Sequence, residues 1–226
     1  MAGEQATLRI KAEKLGTVTE IRQFLSDLEA AYNSIYLFIF LVDTLVSEAQ
    51  RKEELIERRF QRFYKYYPRD EKIRLDPFFY ELFLSDSPLR KGELYPNLME
   101  LFSRIDLEKL VPSDERLYLS KINIQSPGFW EVIGSLNPLQ QIREYLKDRH
   151  ERKKDNEFRN DFEKRKAELE LLEKEGNIIK ERIELLKSLG YSDLEVRPLV
   201  SAHIAEPLRR LGAHQERGLI DYPEHN

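Results

Sequence analysis

The chain has 226 residues, 41% apolar and 35% charged, and its 41 acidic and 37 basic side chains leave a net charge of −4. That apolar share can fill a core, and the lack of cysteine excludes disulfides, thiolate nucleophiles and thiolate metal sites. The balance is not the basic surplus of a protein that binds nucleic acid over its whole surface, and a charged fraction above the usual value of about 25% points to long helices with solvated faces.

The first residues, MAGEQATLRIKAEKLG, lack the basic and apolar regions of a secretory signal, so a cytoplasmic location is expected. Residues Thr7 to Glu13 alternate Leu8, Ile10 and Ala12 with Arg9, Lys11 and Glu13, which predicts a half-buried strand ended by Gly16. Thr17 and Glu20 then have the spacing of a capping box, so a helix starts there.

Along that helix Ile21, Leu25, Leu28, Tyr32, Ile35, Ile39, Val42 and Val46 follow one another at alternating spacings of four and three, a heptad seam. Phe24, Leu37, Phe38, Phe40 and Leu41 widen it, which suits a core helix better than a simple zipper. The most apolar stretch, Ala30 to Val46, is interrupted by Asn33, Ser34, Asp43 and Thr44 and is shorter than a membrane span of about 20 residues. A membrane-associated effector using residues 30–46 is the third functional reading.

The helix is expected to run to Tyr66 and stop before Pro68. Its end interleaves Arg58, Arg59, Arg62, Lys65 and Arg69 with Phe60, Phe63, Tyr64, Tyr66 and Tyr67, the combination with which proteins stack bases and track phosphates of single strands. The competing reading is an amphipathic helix end whose cations face the C-terminal dipole. Residues 68 to 115 read as short helices between proline breaks.

A second strand is expected at Arg116 to Ile124, with a slip in alternation between Leu119 and Ile122 that suggests a bulge. Ser126, Pro127 and Gly128 make a turn, and Phe129 to Leu136 reads as a short apolar helix containing the single tryptophan, Trp130. A second long helix follows from Asn137-Pro138 to Gly190. Its stripe starts at Leu139, Ile142 and Leu146, lapses over Lys147 to Asn156, and resumes at Phe158, Phe162, Leu169, Leu172, Ile179, Ile183 and Leu186. Ser192 and Glu195 cap a final helix, bent by Pro198 and Pro207, before a polar tail around GLIDYPEHN whose order is in doubt.

The expected fold is mainly α (α+β): long antiparallel helices in a bundle or coiled-coil-like hairpin, with a small sheet of about two strands. Residues 1–146 would form a helical core with strands at about 7–13 and 116–124, residues 147–190 a projecting coiled-coil-like helix, and residues 191–226 a C-terminal helix and polar tail. The histidines at 150, 203, 214 and 225 are too scattered for a metal site, and no phosphate loop, catalytic triad or paired acid motif is present. No cofactor and no enzymatic activity are expected.

The leading expectation is therefore a non-catalytic interaction or oligomerisation protein, an adaptor or scaffold. It would self-associate or bind a protein partner through the stripe Phe158, Phe162, Leu169, Leu172, Ile179, Ile183 and Leu186. Nucleic-acid contact by Arg58, Arg59, Arg62, Lys65 and Arg69 is second. The strand, Ser-Pro-Gly turn and long charged helix ending in LRRLGAHQERGLI, over about residues 116–220, are similar in layout to bacterial proteins of defence and signalling gene clusters. That resemblance implies an adaptor or effector role and no particular activity.

Overall fold

A computed structural model of the protein describes residues 4–66, 98, 111–123, 125, 127–155 and 178–223. It divides into two compact units, Met1–Asp43 with Asp106–Asn226, and Thr44–Ile105. Of the second, residues 44–66 of one long helix and residue 98 are described. The account below concerns the first.

Four antiparallel strands form one sheet: β1 (Gln5–Ala12), β2 (Tyr118–Asn123), β3 (Gly128–Ser135) and β4 (Ile220–Pro223), in the order β2-β3-β1-β4. The alternation that predicts β1 sets its faces, with Leu8, Ile10 and Ala12 buried and the residues between them half-exposed. The slip expected in β2 is a register shift between Leu119 and Lys121, at Ser120.

Two expectations fail here. Phe129 to Leu136 is not a short helix but the bulk of β3, the strand paired on both sides, and the tail around GLIDYP folds as β4 on the free side of β1. Phe129 and Ile133 on the outer face hide the alternation of Trp130, Val132 and Gly134 on the inner face, so the run looks continuously apolar. The sheet thus has four strands, not about two.

The β2–β3 hairpin depends on a glycine. A Cβ at Gly128 would lie 2.1 Å from the Asn123 carbonyl oxygen and 2.3 Å from that of Gln125, so no other residue fits without moving backbone. The Asn123 side chain accepts the Gln125 amide at 3.1 Å and tightens the same turn.

Helix α1 (Val18–Tyr66) begins at the expected cap: the Thr17 amide donates to Glu20 Oε2 at 2.8 Å and the Glu20 amide to Thr17 Oγ1 at 3.2 Å. Leu28, Tyr32, Ile35, Ile39 and Val42 of the seam are buried, and so are Phe24, Ala31, Leu37, Phe38 and Leu41. The apolar surface is therefore covered on several sides within the chain. It meets the sheet where Phe24 lies 5.5 Å from Trp130, ring to ring, and where Tyr32 crosses Gly134.

Helix α2 (Leu136–Asp155) buries the stripe Leu139, Ile142 and Leu146. From it Arg143 donates to the Thr7 carbonyl at 3.1 Å, on a stretch of β1 beyond the residues paired with β4. Helix α3 (Ile178–Ser188) follows after residues outside the description, so the expected unbroken helix to Gly190 is described only at its two ends. Gly190, at φ 99°, receives the chain leaving α3: its amide donates to Lys187 O and that of Tyr191 to Leu186 O, closing a Schellman motif at the expected stop.

Helix α4 (Asp193–Val200) starts at the second predicted cap, with the Ser192 amide donating to Glu195 Oε2 at 2.8 Å. It passes through a π-helical turn, Ser201–Ala205, into α5 (Glu206–Glu216). Pro207 sits in the first turn of α5. With no N–H to offer the carbonyl four residues back, it is accommodated by this wide turn instead of breaking the helix. Gly218, at φ 68°, ends α5 with the same motif, Leu219 donating to His214 O at 3.0 Å, and turns the chain into β4.

Along the chain β1, α1, β2, β3, α2 and β4 have the β-α-β-β-α-β order of a split βαβ unit. It is enlarged between α1 and β2, and by α3, α4 and α5 before β4. The helical content is that of a mainly α chain.

Candidate functional site

The inner face of the sheet is occupied by α1, while the outer face stays half-exposed. Strand pairing sets its side chains in rows across the sheet: Asn123, Phe129 and Lys11; Lys121, Glu131 and Arg9; Tyr118, Ile133 and Thr7. Arg9 and Phe129 occupy neighbouring rows, and the guanidinium carbon of Arg9 lies 3.5 Å from the Phe129 ring centre, a cation–π stack. Lys121 Nζ reaches Glu131 at 3.6 Å, and Ser120, the bulged residue, donates to the same carboxylate at 2.9 Å.

The first row extends onto β4. Ile10 pairs with Pro223 and Ala12 with Ile220, so one residue of β1, Lys11, faces two of β4, Asp221 and Tyr222. Lys11 Nζ is 3.6 Å from Asp221 Oδ2 and 5.4 Å from the Tyr222 ring centre. From α2, His150 brings Nδ1 to 2.7 Å from Asp221 Oδ1 and its ring to 4.9 Å from that of Tyr222. A carboxylate on one imidazole nitrogen is half of a hydrolytic triad, but among the described residues no hydroxyl bonds the other nitrogen. The cluster is suited to binding: a cation, an imidazole and a phenol ring at one corner of an open sheet.

The second exposed feature is strand β2. Leu119 pairs with Val132 and Ile122 with Trp130, which puts both on the inner face. Val132 and Trp130 are 1% and 2% exposed, whereas Leu119 and Ile122 are 42% and 46% exposed, so the helical cover ends before it reaches β2. Tyr118 on the opposite face is also exposed, and no further strand pairs with the outer edge among the described residues.

Behind the sheet lies a polar core. His214 of α5 and Asp27 of α1 meet at 2.8 Å with both side chains buried, and Gln215 donates to Leu146 O and Asp221 O, each at 2.9 Å. Tyr32 accepts the Ser135 amide at 2.7 Å and donates to Glu115 O at 2.5 Å. Burial raises the Tyr32 hydroxyl above its ordinary pKa against the opposing pull of the Ser135 bond. Tyr36 is raised by burial and then by its hydrogen bond to the Glu115 carboxylate. These groups hold elements together and do not face the open surface.

The residues singled out in the sequence fall elsewhere. Ile179, Ile183 and Leu186 are buried in the first unit, and Phe158, Phe162, Leu169 and Leu172 lie outside the described residues. Arg58, Arg59, Arg62 and Lys65 are on the last turns of α1, and Arg69 lies outside the description. Ile179, Ile183 and Leu186, the described members of the stripe, are not among the residues of the cluster formed by Lys11, His150, Asp221 and Tyr222. Its only trace in the sequence is the outward register of Arg9 and Lys11 in β1; His150 reads as one of four scattered histidines. Among the described residues no group of three His, Asp or Glu side chains is placed to hold a metal ion. Among the described residues one helical segment, Val18–Arg51, is long and apolar enough to cross a membrane, with 44% of its most apolar window buried inside the protein.

No protein-family model, no curated protein and no solved structure matches the chain.

Proposed function

We propose that the chain is a non-catalytic interaction protein whose contact surface is the edge of β2 that pairs with no other strand among the described residues. The observation that carries this is the exposure of Leu119 and Ile122 on the same sheet face where their partners Val132 and Trp130 are buried. A strand with an open hydrogen-bonding edge and uncovered apolar side chains is a template for another strand, and proteins usually blunt such edges. The bulge at Ser120 and the charge of Lys121 blunt this one only in its middle.

The helices are a weaker source of contact. The middle of the α1 seam, Leu28 to Val42, and the described end of the second stripe, Ile179, Ile183 and Leu186, are buried within the chain. The rest of that stripe, Phe158 to Leu172, would serve as a second contact if residues 147–190 form a coiled-coil-like segment, and this belongs to the same proposal.

Native mass by light scattering tests it. The expected result for the purified 26.9 kDa chain is a species of at least twice that mass, or a stable complex with another protein. Leu119→Lys with Ile122→Lys should reduce it to a monomer without lowering its melting temperature. A chain that stays monomeric at high concentration and retains no partner refutes the reading.

A further inference from the structure

We propose that the outer face of the sheet binds single-stranded nucleic acid. The surface is distinct from the inner face and edge of β2 invoked above. Three strands contribute one aromatic ring each to it, Tyr118 from β2, Phe129 from β3 and Tyr222 from β4, and Arg9, Lys11 and Lys121 lie between them. Tyr118 is 50% exposed and Tyr222 37% exposed. An open four-stranded sheet with rings on its strands is a common way to splay and stack unpaired bases, because every base has a π-face and the cations follow the phosphates.

The arrangement within the rows favours this occupant over a protein surface. The Arg9 guanidinium carbon stands 3.5 Å over the Phe129 ring centre, which sets a cation and a ring side by side on the face. The first row runs from the amide of Asn123 through Phe129 and Lys11 to Tyr222, alternating a hydrogen-bonding group, a ring, a cation and a ring. The two carboxylates on the face are each countered by a cation: Glu131 by Lys121, and Asp221 by Lys11, with His150 beside it. Across the paired rows Arg9, Lys11 and Lys121 stand against Glu131 and Asp221. Partly exposed rings on paired strands suit planar bases.

The test is fluorescence anisotropy of the full chain with labelled mixed-sequence RNA and DNA single strands of about 12 nucleotides, a length within the usual site size. Binding is expected at low salt and should weaken steadily as salt rises. Phe129→Leu and Tyr222→Leu keep apolar bulk and remove a stacking ring, and each should weaken binding at least about fivefold, the lower bound for one lost base stack. Lys121→Gln removes the charge from a side chain that is 69% exposed, and should weaken binding with little change in melting temperature. Absence of binding at low salt overturns the proposal, as does equal competition by duplex. So does binding that these three variants leave intact while Arg58→Ala, Arg59→Ala and Arg62→Ala together abolish it.

Discussion

His214 Nε2 lies 2.8 Å from Asp27 Oδ2, joining the last helix of the chain to the first across 187 positions, and both side chains are under a tenth exposed. The Phe24 ring stands edge-on to the imidazole at 5.7 Å, and Gln23 donates to the same carboxylate oxygen at 3.1 Å. Removing Asp27 leaves the buried imidazole without this partner, and removing His214 leaves the buried Asp27 carboxylate with Gln23 alone. Asp27→Ala and His214→Ala should each cost about 2–3 kcal/mol, and Asp27→Asn less, since an amide still offers a hydrogen bond. The apolar double variant Asp27→Leu with His214→Phe should cost less than the sum of the single changes. Urea titrations of the unaltered chain, Asp27→Leu, His214→Phe and the double variant measure that coupling, and strict additivity would mean the pair does not act as a unit.

Tyr32 and Gly134 make a second long-range joint. A Cβ on Gly134 would lie 2.8 Å from Tyr32 Cε2, so the missing side chain is what lets the ring lie against β3 and bond Ser135 and Glu115. Tyr32→Phe keeps the packing and removes both hydrogen bonds, at a cost of about 2 kcal/mol. Gly134→Ala should cost about 1–3 kcal/mol by forcing the ring off the strand. Adding Tyr32→Leu to Gly134→Ala should recover part of that loss, because the smaller side chain removes the clash. A double variant that is worse than both singles by their full sum would show that the two residues do not share the contact.

The same tyrosines set the alkaline limit. Burial raises the hydroxyls of Tyr32 and Tyr36 above the ordinary tyrosine pKa, with the Glu115 carboxylate adding to the rise at Tyr36. In the unfolded chain both ionise near pH 10, while the folded chain still holds its protons. Their contribution is complete below about pH 10 and is lost as the pH climbs towards the folded values. Melting temperature should therefore fall from about pH 10 upwards, and the fall should be shallower in Tyr32→Phe with Tyr36→Phe, although that variant starts lower. An equally steep fall in both proteins would assign alkaline sensitivity to other groups.

What the sequence discloses depends on how many faces of an element are buried. Strand β1, half-buried, shows its alternation in Leu8, Ile10 and Ala12, and both capping boxes and the stop at Gly190 are written in local residues with local partners. Strand β3 is hidden because its outer row also carries apolar side chains, Phe129 and Ile133, and β4 because four residues with a bulge give no period to read. The open face is hidden for a related reason. Its members come from positions 9 to 222 and become neighbours only through the β2-β3-β1-β4 order, which no local pattern encodes. The apolar stripe ending at Leu186 is visible as a stripe, but whether a stripe is filled at home or by a partner is a property of the tertiary structure.

Gln215 decides whether β4 stays in place. Its amide nitrogen donates to Leu146 O on α2 and to Asp221 O on β4, so one buried side chain ties the short edge strand to a helix. Two carbonyl acceptors fix which end of the amide points at them, because the oxygen end would face two lone pairs. Gln215→Glu puts a carboxylate against both carbonyls and should be more damaging than Gln215→Met, which removes their shared donor at about 1–3 kcal/mol. The loss should be local first: amide hydrogens of residues 220–223 should exchange faster in Gln215→Met, while those of β1 facing β3 keep their protection. Uniform acceleration across the sheet would show instead that β4 and the central strands open as one unit.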